Sequence, residues 1–286
     1  MISELGIGVG YACNFKCVHC GVSHKKKLRL SDSEITRLVK TINTNKVPAL
    51  LFVGGEPSLY IQDINRILSK VENLNKTQVR ITTNGHFAKS KVAAKSLLSE
   101  FLRIDKVHLS YDKFHKKFLP NRNIKNLHEA CRDSKIDFGV LMAIQSPMDL
   151  ALLPQLRALG DFPIGIQKVL PTGAAKNSGV SLVPPIFDRR VLSRSCPNAG
   201  KIMYLCGEGF SLCCSSLVLN GNNPGFVHPT LSKHLNSRFY KMVCTKSFGE
   251  IMKIAHISES DLAPAHSESC NLCEHIFNTA GRRLLK

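Results

Sequence analysis

From residue 3 to about residue 170 the chain alternates short, nearly continuous apolar runs with amphipathic helical stretches, a pattern few architectures accommodate. The strand candidates are Leu5–Gly10, Ala49–Val53, Gln78–Thr83, Lys106–Ser110, Phe138–Ile144 and Ile164–Leu170. Runs this apolar suit strands covered on both faces by helices. Between them, Ser31-Asp32-Ser33-Glu34 reads as a capping box, with Ile35, Leu38, Val39 and Ile42 making an apolar stripe behind it. Ile61, Ile64, Ile67, Leu68 and Val71 repeat that spacing, and residues 89–102, 123–134 and 149–159 supply three more helical patterns. Six β/α units in series predict an α/β fold: a parallel sheet curved into a partial (β/α)6 barrel. Such folds carry their chemistry at the C-terminal ends of the strands.

Past about residue 171 the texture changes. A turn-rich connector runs through Pro184-Pro185, which predicts a core barrel over 1–185 and a small Cys-rich C-terminal domain over 186–286. Seven of the eleven cysteines lie in that tail: Cys196, Cys206, Cys213, Cys214, Cys244, Cys270 and Cys273. With weak helical periodicity and many turn residues, the tail is expected to lack a large core and to be stapled by metal. The N-terminus lacks the basic-then-apolar pattern of a secretory signal, and no apolar run approaches the ~20 residues of a membrane span. A cytoplasmic location is therefore expected, where stable disulfides are rare and thiols serve metals, catalysis or packing. Lys and Arg outnumber Asp and Glu by 39 to 21, a net charge of +18 that attracts anionic partners. No nucleic-acid fold motif accompanies the charge, so nucleic acid is not the expected partner, and neither is a membrane.

Cys13, Cys17 and Cys20 put three thiols within eight residues just after the first strand. Soft thiolates suit an iron–sulfur cluster or zinc, and zinc could take His19 or His24 as a fourth ligand. Their place at a strand end of a β/α barrel favours a reactive cluster. The CxxxCxxC spacing resembles that of the radical S-adenosylmethionine (radical SAM) enzymes. Gly54-Gly55-Glu56-Pro57 resembles the family's GGEP segment, Thr82-Thr83-Asn84-Gly85 its TNG segment and Ser110-Tyr111-Asp112 its SxD segment. Each falls at the end of a consecutive predicted strand. Pro171-Thr172-Gly173-Ala174 stands where many members carry PxGRA, with Ala in place of Arg.

The resemblance, which covers about residues 5–175, implies specific roles. Cys13, Cys17 and Cys20 would hold a [4Fe-4S] cluster whose open iron chelates S-adenosylmethionine. Glu56 would accept a hydrogen bond from the amino group of that molecule, with Gly54, Gly55 and Pro57 shaping the approach. Ser110, Thr83 and Asn84 would line the ribose and carboxylate, Asp112 would meet the ribose, and His19 would lie beside the adenine. The implied reaction is reductive cleavage to a 5′-deoxyadenosyl radical that abstracts a substrate hydrogen, with electrons from a flavodoxin- or ferredoxin-type donor.

Cys196, Cys214, Cys270 and Cys273 resemble the ligand set of a twitch domain, the reduced form of the SPASM domain that follows the barrel in some family members. That likeness implies a second, auxiliary [4Fe-4S] cluster, with a structural zinc on the same thiols as the alternative. Cys213 could replace Cys214 as the ligand. Cys206, Cys213 and Cys244 are the spare thiols, any of which could donate a hydrogen atom to a substrate radical. The leading functional expectation is an oxidoreductase-type maturase that crosslinks, oxidises or epimerises a ribosomal precursor peptide. The alternatives are a small-molecule dehydrogenase of antibiotic assembly and, from another class, an iron–sulfur redox-sensing or nucleic-acid-associated binding protein.

Overall fold

The structure, a computed structural model, describes residues 2–212, 215–219 and 225–285. Its frame is one eight-stranded sheet: β1 (Glu4–Gly8), β2 (Ala49–Val53), β3 (Gln78–Thr83), β4 (Lys106–Ser110), β5 (Asp137–Ile144), β6 (Ile164–Lys168), β7 (Lys201–Leu205) and β8 (Gly209–Ser211). The order is β6-β5-β4-β3-β2-β1-β7-β8, parallel from β6 through β7, with β8 antiparallel to β7. The fold is therefore α/β, with an open, mostly parallel sheet. The six predicted strands are present, with small end shifts at β1, β5 and β6.

The first five helices are α1 (Asp32–Asn45), α2 (Ile61–Leu68), α3 (Lys91–Ser99), α4 (Asn121–Asp133) and α5 (Leu153–Arg157). Ser31 caps α1 through the expected box, and Ile35, Leu38 and Ile42 form its buried stripe. Such a cap is worth about 1 kcal/mol. The capping carboxylate is used twice, because Glu34 Oε1 also accepts from Tyr204 Oη at 2.9 Å and from the Gly207 amide at 2.8 Å. A local helix signal thereby ties the β7–β8 hairpin to the barrel. The stretch predicted as one helix over 149–159 is instead a 3-10 segment, Pro147–Leu152, leading into the short α5. Pro154, lacking an N–H, falls in the first turn of α5, where proline is tolerated. β6 is mostly exposed rather than covered on both faces, because it forms the free edge of the sheet.

The tail departs furthest from expectation. Its strand β7 pairs with β1 in parallel, so the sheet runs on past residue 185. Six more helices follow β6: α6 (Ala174–Asn177), α7 (Ser216–Leu219), α8 (Leu231–Asn236), α9 (Arg238–Thr245), α10 (Phe248–Ala255) and α11 (Ser269–Leu284). Of these, α7, α9, α10 and α11 supply a second apolar cluster in which Phe226, Phe239 and Phe277 meet edge to face, with centroids 4.9–5.7 Å apart. The tail does build a core. Apart from the 16-residue α11, the helices that follow β6 are too short, at eight residues or fewer, and the aromatic residues too scattered for a periodicity window to register them.

Candidate active site

The cysteine loop leaves β1 and is pressed against the end of β2. The Gly55 amide donates to Gly10 O at 2.8 Å, the Glu56 amide to Ala12 O at 2.9 Å, and the Ala12 amide to Tyr60 Oη at 2.7 Å. A Cβ on Gly54 would lie 2.3 Å from Gly10 O, and one on Gly55 2.1 Å from Ala12 O. The two glycines are thus required by the approach of the cysteine loop itself. On its far side, the Ala174 amide donates to Cys20 O at 2.9 Å, and Gly173, at φ 57°, leaves no room for a Cβ beside that carbonyl. Two glycine-bearing segments, far apart in sequence, clamp the loop by backbone contact.

Within the clamp, Cys13 Sγ accepts from the Phe15 amide at 3.4 Å and from Asn84 Nδ2 at 3.6 Å. Burial pushes the Cys17 thiol up to about 12 and raises Cys13 and Cys20 as well. Bare thiolates are disfavoured here, and a bound metal would supply the compensating charge. None of the three is in a disulfide.

Glu56 is 1% exposed. Its carboxylate accepts from the Ser58 amide (3.1 Å), Thr83 Oγ1 (2.6 Å) and the Asn84 amide (2.8 Å), bolting the β3 end to the β2 end. Burial nevertheless pushes its carboxyl above the ordinary range. Pro57 opens the 3-10 turn that follows. Asp112, also 1% exposed, accepts through Oδ1 from the amides of Phe114 (2.9 Å) and His115 (3.1 Å) and meets His115 Nδ1 at 2.9 Å. Its Oδ2 lies 3.4 Å from His19 Nε2. Burial would raise the Asp112 carboxyl, but the His115 donors outweigh it and hold the group below its usual value. His19 stacks on Phe114 at 4.4 Å, and its pKa is lowered by burial against the pull of Asp112.

A cavity of about 340 Å³ opens at the strand ends and is lined by all three thiols. His19, Gly54, Gly55, Thr83, Asn84 and Ser110 line it too. Glu56, Pro57 and Asp112 are not among its lining residues, and the two carboxylates take protein donors. Sequence reasoning missed Thr172, on the wall, although its segment was flagged. Two buried polar atoms of wall residues, His19 Nδ1 and Thr172 Oγ1, have no hydrogen-bond partner.

In the tail, Cys196, Cys270 and Cys273 line one small cavity of about 20 Å³. Cys270 and Cys273 share the first turn of α11, where a three-residue spacing puts side chains on one face. Cys213 and Cys214 lie outside the described residues, but their neighbours Leu212 and Ser215 line the same cavity. Cys206 is completely buried and Cys244 sits on α9, and neither lines the strand-end cavity.

The Radical SAM superfamily model matches residues 7–143, the stretch that carries the three thiols and the Gly54–Pro57 segment that clamps their loop. The chain carries that domain. Among its relatives is YydG of Bacillus subtilis (strain 168), described as a "Putative peptide biosynthesis protein". It is 26% identical over an alignment spanning 96% of this chain and 92% of YydG. The fold is shared with anSMEcpe, solved with bound AdoMet and the Cp18Cys peptide, at a TM-score of 0.60 and 16% identity over 99% of this chain and 97% of that one. It is also similar to Streptococcus suis SuiB bound to the precursor peptide SuiA, at a TM-score of 0.50 and 16% identity over 92% and 74% of the two chains.

The family implies a [4Fe-4S] cluster and S-adenosylmethionine, and the residues fit both. Three thiols, Cys17 buried and Cys13 and Cys20 half-buried, face one cavity, and its wall carries two polar atoms without protein partners. Among the described residues, no helix is long and apolar enough to cross a membrane.

Proposed function

We propose that this chain is a peptide-modifying radical SAM oxidoreductase. Cys13, Cys17 and Cys20 would hold the cluster, and His19, Thr83, Asn84, Ser110 and Thr172 would line the S-adenosylmethionine site. When bound, the pair supplies one-electron cleavage of a sulfonium and a carbon radical that removes hydrogen from a substrate carbon. The protein's part is placement and exclusion of water. Gly54, Gly55 and Gly173 fix the loop, Glu56 locks Thr83 and Asn84 to it, and Asp112 steadies His19. The observation that carries the reading is the convergence of three thiols, one buried and two half-buried, and two unpartnered wall atoms on one cavity.

A peptide substrate, to be crosslinked, oxidised or epimerised, is favoured by likeness to YydG across nearly the whole of both chains. Cys196, Cys270 and Cys273, with Cys214 or Cys213, would hold an auxiliary cluster in a tail unit running from residue 186. The net charge of +18 suits an acidic flavodoxin- or ferredoxin-type electron donor.

The test is anaerobic reconstitution with iron, sulfide, dithionite and S-adenosylmethionine, followed by mass analysis with a short peptide encoded beside the gene. 5′-Deoxyadenosine together with a mass change in the peptide supports the proposal. Without 5′-deoxyadenosine, an iron–sulfur binding protein is the better reading. Iron near eight atoms per chain, as two four-iron cubes require, supports the auxiliary cluster. About half that iron with one zinc would contradict it.

A further inference from the structure

We propose that His115 is the hydrogen-bond acceptor of the strand-end cavity, its Nδ1–H held by Asp112 so that Nε2 offers a lone pair to an N–H or O–H donor of the molecule bound there. The inference deepens the functional reading above and rests on it for the identity of that molecule. The tautomer itself follows from geometry alone.

Asp112 Oδ1 is fixed independently of the ring by the backbone amides of Phe114 and His115. His115 Nδ1 faces the same oxygen at 2.9 Å. An ionised carboxylate can only accept, so the proton between them belongs to Nδ1, and a neutral ring then carries its lone pair on Nε2. The ring has little freedom to turn. Its side chain is 10% exposed, His19 meets it edge-on at 5.0 Å, and Phe15 lies at 6.4 Å on another side. His115 nonetheless lines the cavity with the three thiols. A buried acceptor at the wall of a polar cavity discriminates in favour of ligands that bring a donor to it, because a ligand without one leaves the acceptor desolvated and unmatched.

The same residues could be read as a cation site, since one ligand atom from each of His19, Asp112 and His115 falls within 4.8 Å of the others. That reading has only Asp112 Oδ2, 3.4 Å from His19 Nε2, left to offer a cation on the carboxylate, because Oδ1 is engaged. The oxygen already takes three N–H donors, and a cation there would have to displace the proton that joins it to His115.

The donor on the ligand has two possible sources, a hydroxyl or amine of S-adenosylmethionine or an N–H or O–H of the substrate. The experiment separates them. The oxidised holoenzyme, labelled with 15N-histidine, is assigned by comparison with His115→Phe, and the ring nitrogens of His115 are read by NMR. An Nδ1–H tautomer is expected, retained in Asp112→Asn, whose amide oxygen can still accept, and lost in Asp112→Ala.

His115→Phe is then compared with the parent for S-adenosylmethionine binding and for product formation. Binding weakened by about tenfold, the cost of one unmatched buried hydrogen bond, puts the donor on S-adenosylmethionine. Unchanged binding and cleavage with product reduced by a similar factor puts it on the substrate. Either result supports the proposal. An Nε2–H tautomer in the parent overturns it, as does a His115→Phe variant unchanged in both measurements. If S-adenosylmethionine fails to bind the parent at all, the functional reading falls while an Nδ1–H signal still supports the assignment of His115.

Discussion

The two cysteine sites are built by opposite means. At the barrel mouth, three thiols from one eight-residue stretch are set by backbone hydrogen bonds to the β2 end and to Ala174, with glycines where carbonyls come closest. In the tail, Cys196 and the pair Cys270 and Cys273 come from distant stretches and are gathered by an aromatic core. A site held by backbone contact with the strand ends does not depend on the aromatic core of the tail. A site held by side-chain packing depends on the whole of its core.

The largest expected difference is functional. Cys17→Ala should abolish formation of 5′-deoxyadenosine, whereas Cys270→Ala should preserve it and stop product formation, both read by chromatography and mass analysis. Loss of both activities in Cys270→Ala would make the tail a purely structural support of the barrel.

Next comes packing. Phe277→Ala, at 3% exposure among Phe226 and Phe239, should cost about 3–5 kcal/mol in chemical denaturation. It should lower the iron content of the tail site while leaving that of the loop site in place.

This contrast also explains what the sequence disclosed. The strands of the barrel and the segments at their ends were legible because each strand is a short apolar run and each motif follows its own strand directly. Gly54 and Gly55 were flagged for a ligand's approach and Gly173 only as part of the Pro171–Ala174 segment, yet the close neighbour of all three is the cysteine loop, a tertiary contact no spacing reveals. β7 was invisible because its partner is β1, almost two hundred residues earlier, and its five residues carry no turn signal of their own. Glu56 and Asp112 were read as ligand contacts. Which donors a buried carboxylate takes depends on neighbours brought by other strands.

A backbone comparison sharpens the account of the clamp. Gly55→Ala would put a Cβ 2.1 Å from Ala12 O and should cost about 3 kcal/mol or more, with loss of iron from the loop site. Gly179→Ala, at φ 64° with open space around it, should cost only about 1–2 kcal/mol and leave the iron in place. Equal losses from the two variants in melting experiments would break the claim that close approach matters at Gly55.

A smaller effect lies in the acid response. Burial, with His228 beside it, lowers His234 in α8 from 6.5 to about 4. Between those values the unfolded chain binds the proton more readily. The stability that neutral His234 leaves intact above pH 6.5 is therefore lost as the pH falls toward 4, by at most ~3 kcal/mol. His234→Leu should flatten the drop in melting temperature between neutrality and about pH 5. An unchanged drop would assign the acid sensitivity to other groups.

The central claim is that the loop thiols hold an iron cube with a corner open to the cavity. The most direct measurement is the electron paramagnetic resonance spectrum of the anaerobically reduced Cys270→Ala protein, recorded with and without S-adenosylmethionine. The account predicts a reduced four-iron signal that shifts on addition. A signal that does not change, with the iron intact, would contradict it.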